Sequence, residues 1–427
     1  MLKNLYGRWM YSWETRLTTR DQNRIVRPLE WGFDWLTAFM NETGIAQRVE
    51  RVADSDPYQA MLEVNQTILA DSDRFFGYQR PTDFRLEERH PMLFPTNVRP
   101  ETLERDARLR KEAEEGKMEK GLFLRFTSPE RTPYPENDLV NARWYPAPPE
   151  RQAGKPKQAI VVMPQWNADA FSHNALCKLF NRFGISALRL SKPYHDIRRP
   201  SEIERSDYAV SANIGRTLSA ARQAVVDIRC CVDWLEEQGY EQFGVLGTSL
   251  GSCYAFLASA HDKRLRVNAF NHCSTAFGDV VWVGQSTRHI RSGLEQAQMT
   301  QENLCQLWAG ISPVHHYGKF SRFNKTAAAD AKKCLLVYAE YDLTFPLEYS
   351  LQAVEAFEQC QMDFEAKRLR CGHYTTGETP FQYIDGWYLG SFVYRAFKQL
   401  RESHGTPAQT QVGEREHDAP KHELTLQ

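Results

Sequence analysis

Apolar runs and amphipathic periods alternate along most of the chain. Gln158–Pro164 (QAIVVMP) is continuously apolar, as a strand buried on both faces would be. Leu176, Leu179, Phe180 and Phe183 then recur at helical spacing, and Gly184 stops the helix. Ile185–Leu190 predicts the next strand. Val225, Ile228, Val232 and Leu235 mark one face of a second helix, which Gly239 ends. Phe243–Gly247, Arg266–Asn271, Lys333–Tyr341 and Phe364–Arg370 predict further strands, with helices over 346–360 and 381–400. Upstream, Gly121–Ser128 alternates Leu122, Leu124 and Phe126, and Asn137–Pro146 alternates Val140, Ala142 and Trp144, which predicts a hairpin. The pattern predicts an α/β protein: a mostly parallel central sheet, entered through an antiparallel hairpin, with helices on both faces.

Three regions fall outside this alternation. Residues 1–120 predict a helical N-terminal extension rich in Trp and Arg, broken into turns by Pro91, Pro95 and Pro100. About sixty residues separate the strands at 266–271 and 333–341, too many for a simple crossover. A helical lid inserted at about 276–330 accounts for them. The α/β body thus spans 121–400, and the polar tail at 401–427 is expected to be disordered.

Composition narrows the setting. The 427 residues are 42% hydrophobic and 25% charged, and 53 basic residues nearly balance 54 acidic ones. No global field points to nucleic acid. The nine cysteines form no C-x-x-C and lie mostly in apolar runs, as buried thiols of a reducing compartment do. The first twenty residues hold no continuous apolar segment, so no secretory signal is expected and a cytoplasmic location is. Phe243–Ala260 carries no charge and has the length of a membrane span. Gly244, Gly247, Thr248, Ser249, Gly251 and Ser252 crowd its first half, between a strand pattern and a helix pattern, which argues for a tight turn instead.

That turn reads Gly247-Thr248-Ser249-Leu250-Gly251, a G-x-S-x-G. A serine on a sharp strand-to-helix turn projects its oxygen from the sheet, and its neighbours two before and two after must be small. A serine hydroxyl needs a base, and the base needs an anion to orient it. Asp342 ends the Lys333 strand, and His373 follows the Phe364 strand after Gly372, in the order Ser, Asp, His on successive loops. Glu340 would lie within its strand, Asp363 precedes one, and His404, His417 and His422 fall in the tail. The backbone amides of Leu250 and of either Gln165 or Trp166, in the loop after the Gln158 strand, are the candidate oxyanion donors. His315 and His316 are adjacent and lack a third nearby ligand, so no metal site is expected.

Through GTSLGS, AEYDLTFP, CGHYTTGE and the strand order, residues 121–400 resemble the α/β-hydrolase superfamily. Through KPYHDIRRP (Lys192–Pro200) and the N-terminal extension, the chain is similar to the abhydrolase domain-containing protein 18 group. The superfamily resemblance implies hydrolysis of a small-molecule carboxylic ester, extending to lipid-like esters or thioesters, without a cofactor. Members that have lost catalysis make a binding protein the competing expectation. The sequence PQWN departs from the glycine-rich oxyanion loop of many lipases. The Lys192–Pro200 segment leaves the carboxyl end of a strand and is expected to rim the site, with Tyr194 and His195 lining the substrate. Contact of the Trp- and Arg-bearing N-terminal helices with a membrane surface is left open.

Overall fold

The runs that lack charge become the centre of one nine-stranded sheet. The computed structural model describes residues 2–326 and 331–405. Its strands are β1 (Arg85–Arg89), β2 (Gly121–Thr127), β3 (Leu139–Tyr145), β4 (Gln158–Met163), β5 (Ile185–Leu190), β6 (Gln242–Thr248), β7 (Leu265–Asn271), β8 (Lys333–Ala339) and β9 (Asp363–Leu369). They lie in the order β1-β2-β3-β5-β4-β6-β7-β8-β9. β1, β2 and β3 pair antiparallel and β3 joins β5 antiparallel, whereas β5 through β9 are parallel neighbours. Every residue of β4, β5 and β6 is buried, which is why β4 and β6 carry no charge and the one charge of β5, Arg189, is paired with Asp196.

Alternate side chains of the central strands feed two cores. Ile160, Val162 and Leu246 face a cluster with Phe180 of the Asn174–Arg182 helix and Val393 and Phe397 of the Phe381–Gly405 helix. Val161, Met163 and Val245 face the other way, against the Ile214–Glu237 and Leu250–Ala260 helices. Asn213 caps the first of these by accepting from the Arg216 N–H at 2.8 Å. The parallel strands therefore point their carboxyl ends, and the loops that leave them, at a common edge.

Residues before β2 contribute to both cores. Met10 of the Leu2–Thr19 helix joins the cluster of the last helix, and Met61, Val64 and Ile68 of the Pro57–Ala70 helix join the opposite one. This region is not purely helical as expected: β1 adds an edge strand. Its sequence, RLEER, shows no apolar face because an edge strand exposed to water has little to bury. Between β7 and β8 run helices at Phe277–Val283, Arg288–Gln296, Gln301–Leu307 and Tyr317–Thr326. The buried Trp308 fastens this segment, packing edge-on against Phe277 at 5.4 Å and donating from Nε1 to the Ile214 carbonyl at 3.3 Å. The last helix continues past the expected limit at Leu400 to Gly405, and the rest of the expected tail, 406–427, lies outside the described residues. No helix among the described residues is long and apolar enough to cross a membrane.

The segment after β5 differs most from expectation. Lys192, Tyr194, His195 and Arg198 are buried rather than spread along a rim. Arg198 pairs with Asp227 of the Ile214–Glu237 helix at 2.8 Å, both side chains fully enclosed, and Ser128 Oγ donates to the same carboxylate at 2.7 Å. A buried charge stripped of its partner is costly, about 3–5 kcal/mol. Arg198→Ala is expected to lower stability to urea by that order. The double variant Arg198→Met/Asp227→Leu is expected to recover most of the loss, read from denaturation midpoints.

Candidate active site

At the carboxyl end of β6 the chain turns within one residue. Ser249 has φ 57° and ψ −122°, a conformation that L-residues adopt only under constraint. Its N–H donates to the Asn271 carbonyl at the end of β7 at 2.8 Å, and Ser252 Oγ donates to its carbonyl at 2.7 Å. The flanking glycines are sterically required. A Cβ on Gly247 would lie 2.1 Å from the Gly251 carbonyl oxygen, and one on Gly251 would lie 2.4 Å from that of Met163.

The structure brings Ser249, His373 and Asp342 into one hydrogen-bonded chain. His373 Nε2 lies 2.9 Å from Ser249 Oγ, and Nδ1 lies 2.8 Å from Asp342 Oδ2. Asp342 Oδ1 accepts from the N–H groups of Thr344 at 2.7 Å and Phe345 at 2.6 Å, which fixes the carboxylate. The Phe345 ring stacks on the imidazole, centroids 5.1 Å apart and planes 13° apart. Burial alone would raise the Asp342 carboxyl. The His373 charge and hydrogen bond, with His272 close by, outweigh it and hold Asp342 well below the carboxylate range. Burial likewise opposes a charge on His373, but Asp342, by charge and hydrogen bond, carries it above the ordinary imidazole value. The pair is thus arranged as an ionised acid orienting a base of raised affinity for a proton.

Two neighbours of this chain are not legible in the sequence. His272, directly after β7, places Nδ1 3.3 Å from Asp342 Oδ2, with its ring 4.5 Å from that of His373. Its position at the end of a parallel strand is the signal that could have found it. Burial and the neighbouring His373 charge lower its pKa. Ligand atoms of His272, Asp342 and His373 all lie within 4.8 Å of one another, so these residues are also the candidate cation ligands. Both ring nitrogens of His373 are already engaged, and a metal there would have to displace those hydrogen bonds. Glu14 is the second neighbour. Buried on the Leu2–Thr19 helix, its carboxylate accepts from the N–H groups of Tyr374 at 2.9 Å and Thr375 at 3.0 Å, immediately after His373. No local pattern announces a contact between residues 360 positions apart.

The loop after β4 is held from behind. Lys192 Nζ donates to the carbonyls of Pro164 at 2.9 Å and Gln165 at 2.8 Å. The Asn167 N–H donates to His195 Nε2 at 3.1 Å, leaving Nδ1 as the donor to the Pro193 carbonyl at 2.8 Å. Burial pushes both Lys192 and His195 well below their ordinary pKa values. Among the described residues, the N–H groups of Gln165, Trp166 and Leu250 carry no loop or cap hydrogen bond. The expectation for Tyr194 and His195 is corrected. Tyr194 is wholly buried against Tyr134 and Tyr208, and His195 faces the back of the Asn167 loop, so neither lines the cavity.

Ser249 and His373 open into a cavity of about 1270 Å³. Leu250, Phe277 and Val281 give it an apolar wall on one side, and Leu176, Phe183 and Leu389 on another. Polar groups cluster near Ser249. His173 Nε2 is 2.9 Å from Thr248 Oγ1, and Asn271 Nδ2 donates to Asp385 Oδ2 at 2.9 Å. Burial pushes the Asp385 carboxyl up to about 7.

A mostly parallel sheet of this order, with a serine at the strand-to-helix turn of β6, is the α/β-hydrolase fold. Residues 96–300 match the family model described as alpha/beta hydrolase domain containing 18. Among solved structures, an acetyl xylan esterase from Paenibacillus sp. R4 aligns with a TM-score of 0.50 at 12% identity, over 79% of this chain and 94% of that one. Acetyl xylan esterase 1 from Thermoanaerobacterium sp. JW/SL YS485 aligns at 0.48 and 11%, over 79% and 94%. The Pyrococcus furiosus esterase Pf2001 aligns at 0.43 and 12%, over 75% and 99%. At such identities the likeness is one of fold. No curated protein matches the chain.

If Glu14 positions the His373 loop, Glu14→Ala is expected to lower kcat/KM for a soluble ester by about tenfold to a hundredfold, through kcat. Glu14→Gln, which keeps one acceptor, is expected to retain most of the rate, as steady-state kinetics with matched thermal midpoints would show.

Proposed function

We propose that the protein is a serine hydrolase of carboxylic esters. The observation that carries this reading is the hydrogen-bonded chain Ser249–His373–Asp342 at a strained turn that opens on a large cavity. Ser249 Oγ attacks the ester carbonyl while His373 Nε2 takes its proton, and Asp342 orients the imidazole and stabilises its charge. The N–H of Leu250 and one from the Gln165–Trp166 loop hold the developing oxyanion. The intermediate collapses as His373 returns the proton to the leaving alcohol, giving an acyl-serine. Water, deprotonated by His373, then releases the acid. Thioesters meet the same requirements. The apolar walls of the cavity suit an acyl chain, which favours lipid-like esters over small polar ones.

Ser249→Ala is expected to reduce turnover of p-nitrophenyl esters by about 10⁶-fold, to the background rate. Retention of a substantial rate would move the nucleophile elsewhere. The raised affinity of His373 for a proton has a defined sign. The base must be neutral in the free enzyme, so kcat/KM is lost as pH falls through its folded-state pKa. The acidic limb of the profile is therefore expected above the ordinary imidazole value of 6.5. A limb at or below that value would count against an ion-paired His373.

A further inference from the structure

The first and last helices leave a continuous aromatic face in water. On the Leu2–Thr19 helix, Leu5 and Trp9 are 58% and 53% exposed, and on the Phe381–Gly405 helix Tyr383 and Trp387 are 70% and 71% exposed. Trp13 bridges the two, its ring 5.1 Å from Trp9 and 6.4 Å from Phe381. One turn beyond Phe381 comes the exposed Ile384, and one turn further Trp387, so the face runs unbroken from Leu5 to Trp387. Exposed large aromatics in such a group are unusual on a surface that meets only water.

The charges around this face are sorted. The only acid of the Leu2–Thr19 helix, Glu14, is turned inward onto the His373 loop. The only acid in the first half of the last helix, Asp385, is turned inward onto Asn271. Arginines take the outside. Arg8 and Arg16 are exposed on the first helix, and Arg370, also exposed, holds its guanidinium 5.3 Å from the Tyr6 ring centroid and its Nε 3.9 Å from the half-buried Glu340. Tyr383 and Trp387 also line the mouth of the cavity that holds Ser249.

We propose that this face docks on a lipid bilayer bearing anionic headgroups, with Leu5, Trp9, Ile384 and Trp387 entering the interfacial layer and Arg8, Arg16 and Arg370 meeting the headgroups. Tryptophan and tyrosine favour the boundary between water and acyl chains, and outward arginines add attraction to anionic lipid. Glu14 and Asp385, turned inward, add little repulsion to such a contact. Docking there sets the cavity mouth against the bilayer, so an amphiphile could pass from lipid to Ser249 without crossing water.

The surface is tested separately from hydrolysis by using Ser249→Ala protein throughout. Flotation with phosphatidylcholine vesicles is compared with flotation on vesicles containing a third phosphatidylglycerol. The account predicts recovery with the anionic vesicles, weaker binding to neutral ones, and loss on raising salt. Adding Leu5→Ser/Trp9→Ser is expected to reduce recovery by about tenfold at an unchanged thermal midpoint. Trp387→Ser is a second variant, on the other helix, should the first destabilise the fold. Tryptophan fluorescence quenched by brominated lipid reads the same contact without substitution. Absence of both flotation and quenching overturns the proposal, as does undiminished flotation of both variants. Equal recovery on neutral vesicles overturns the role of the arginines. A dimer in light scattering that the substitutions dissolve, without flotation, assigns the face to a second copy of the chain instead.

Discussion

The geometry of the site depends on one strained residue. At Ser249 the chain passes from a buried strand to a buried helix without an intervening loop, and a conformation of this kind costs about 1–3 kcal/mol. Packing on both sides holds it there. The Leu250–Ala260 helix buries Tyr254, Phe256 and Leu257, while β6 is enclosed along its whole length, so neither element can move to relax the turn. Close approach of Gly251 to the Met163 carbonyl draws the helix start against the end of β4, where the Gln165–Trp166 loop begins.

Buried polar groups supply the remaining order. Lys192 and His195 grip the loop after β4 from behind, and Arg198 ties their segment to the Ile214–Glu237 helix through Asp227. Glu14 holds the His373 loop, and the amides of Thr344 and Phe345 hold Asp342. Each group sits in a setting where an unmade hydrogen bond is expensive, which makes the arrangement rigid before any substrate arrives. The cavity wall, by contrast, is mostly apolar and makes few directional demands.

The sequence carried the parallel core plainly, because β4, β5 and β6 are buried on both faces and so cannot include charge without a partner. Ser249, Asp342 and His373 could be picked out because strand-end loops and glycine spacing are local features. What escaped notice was set by distant contacts. β1 is an exposed edge with no apolar alternation, and Glu14 meets the His373 loop only after the whole sheet has formed. Lys192 and His195 lie behind the loop rather than on the rim of the site, and their partners are backbone carbonyls and an amide, which no sequence pattern displays.

The central claim is that Ser249 is the reacting nucleophile, and covalent capture tests it most directly. The protein is treated with a fluorophosphonate probe, digested, and the adduct located by mass spectrometry. The account predicts one modified peptide, with the probe on Ser249, and no adduct in His373→Ala on the same timescale. Modification at another residue, or labelling of Ser249→Ala at the rate of the unaltered protein, would contradict it.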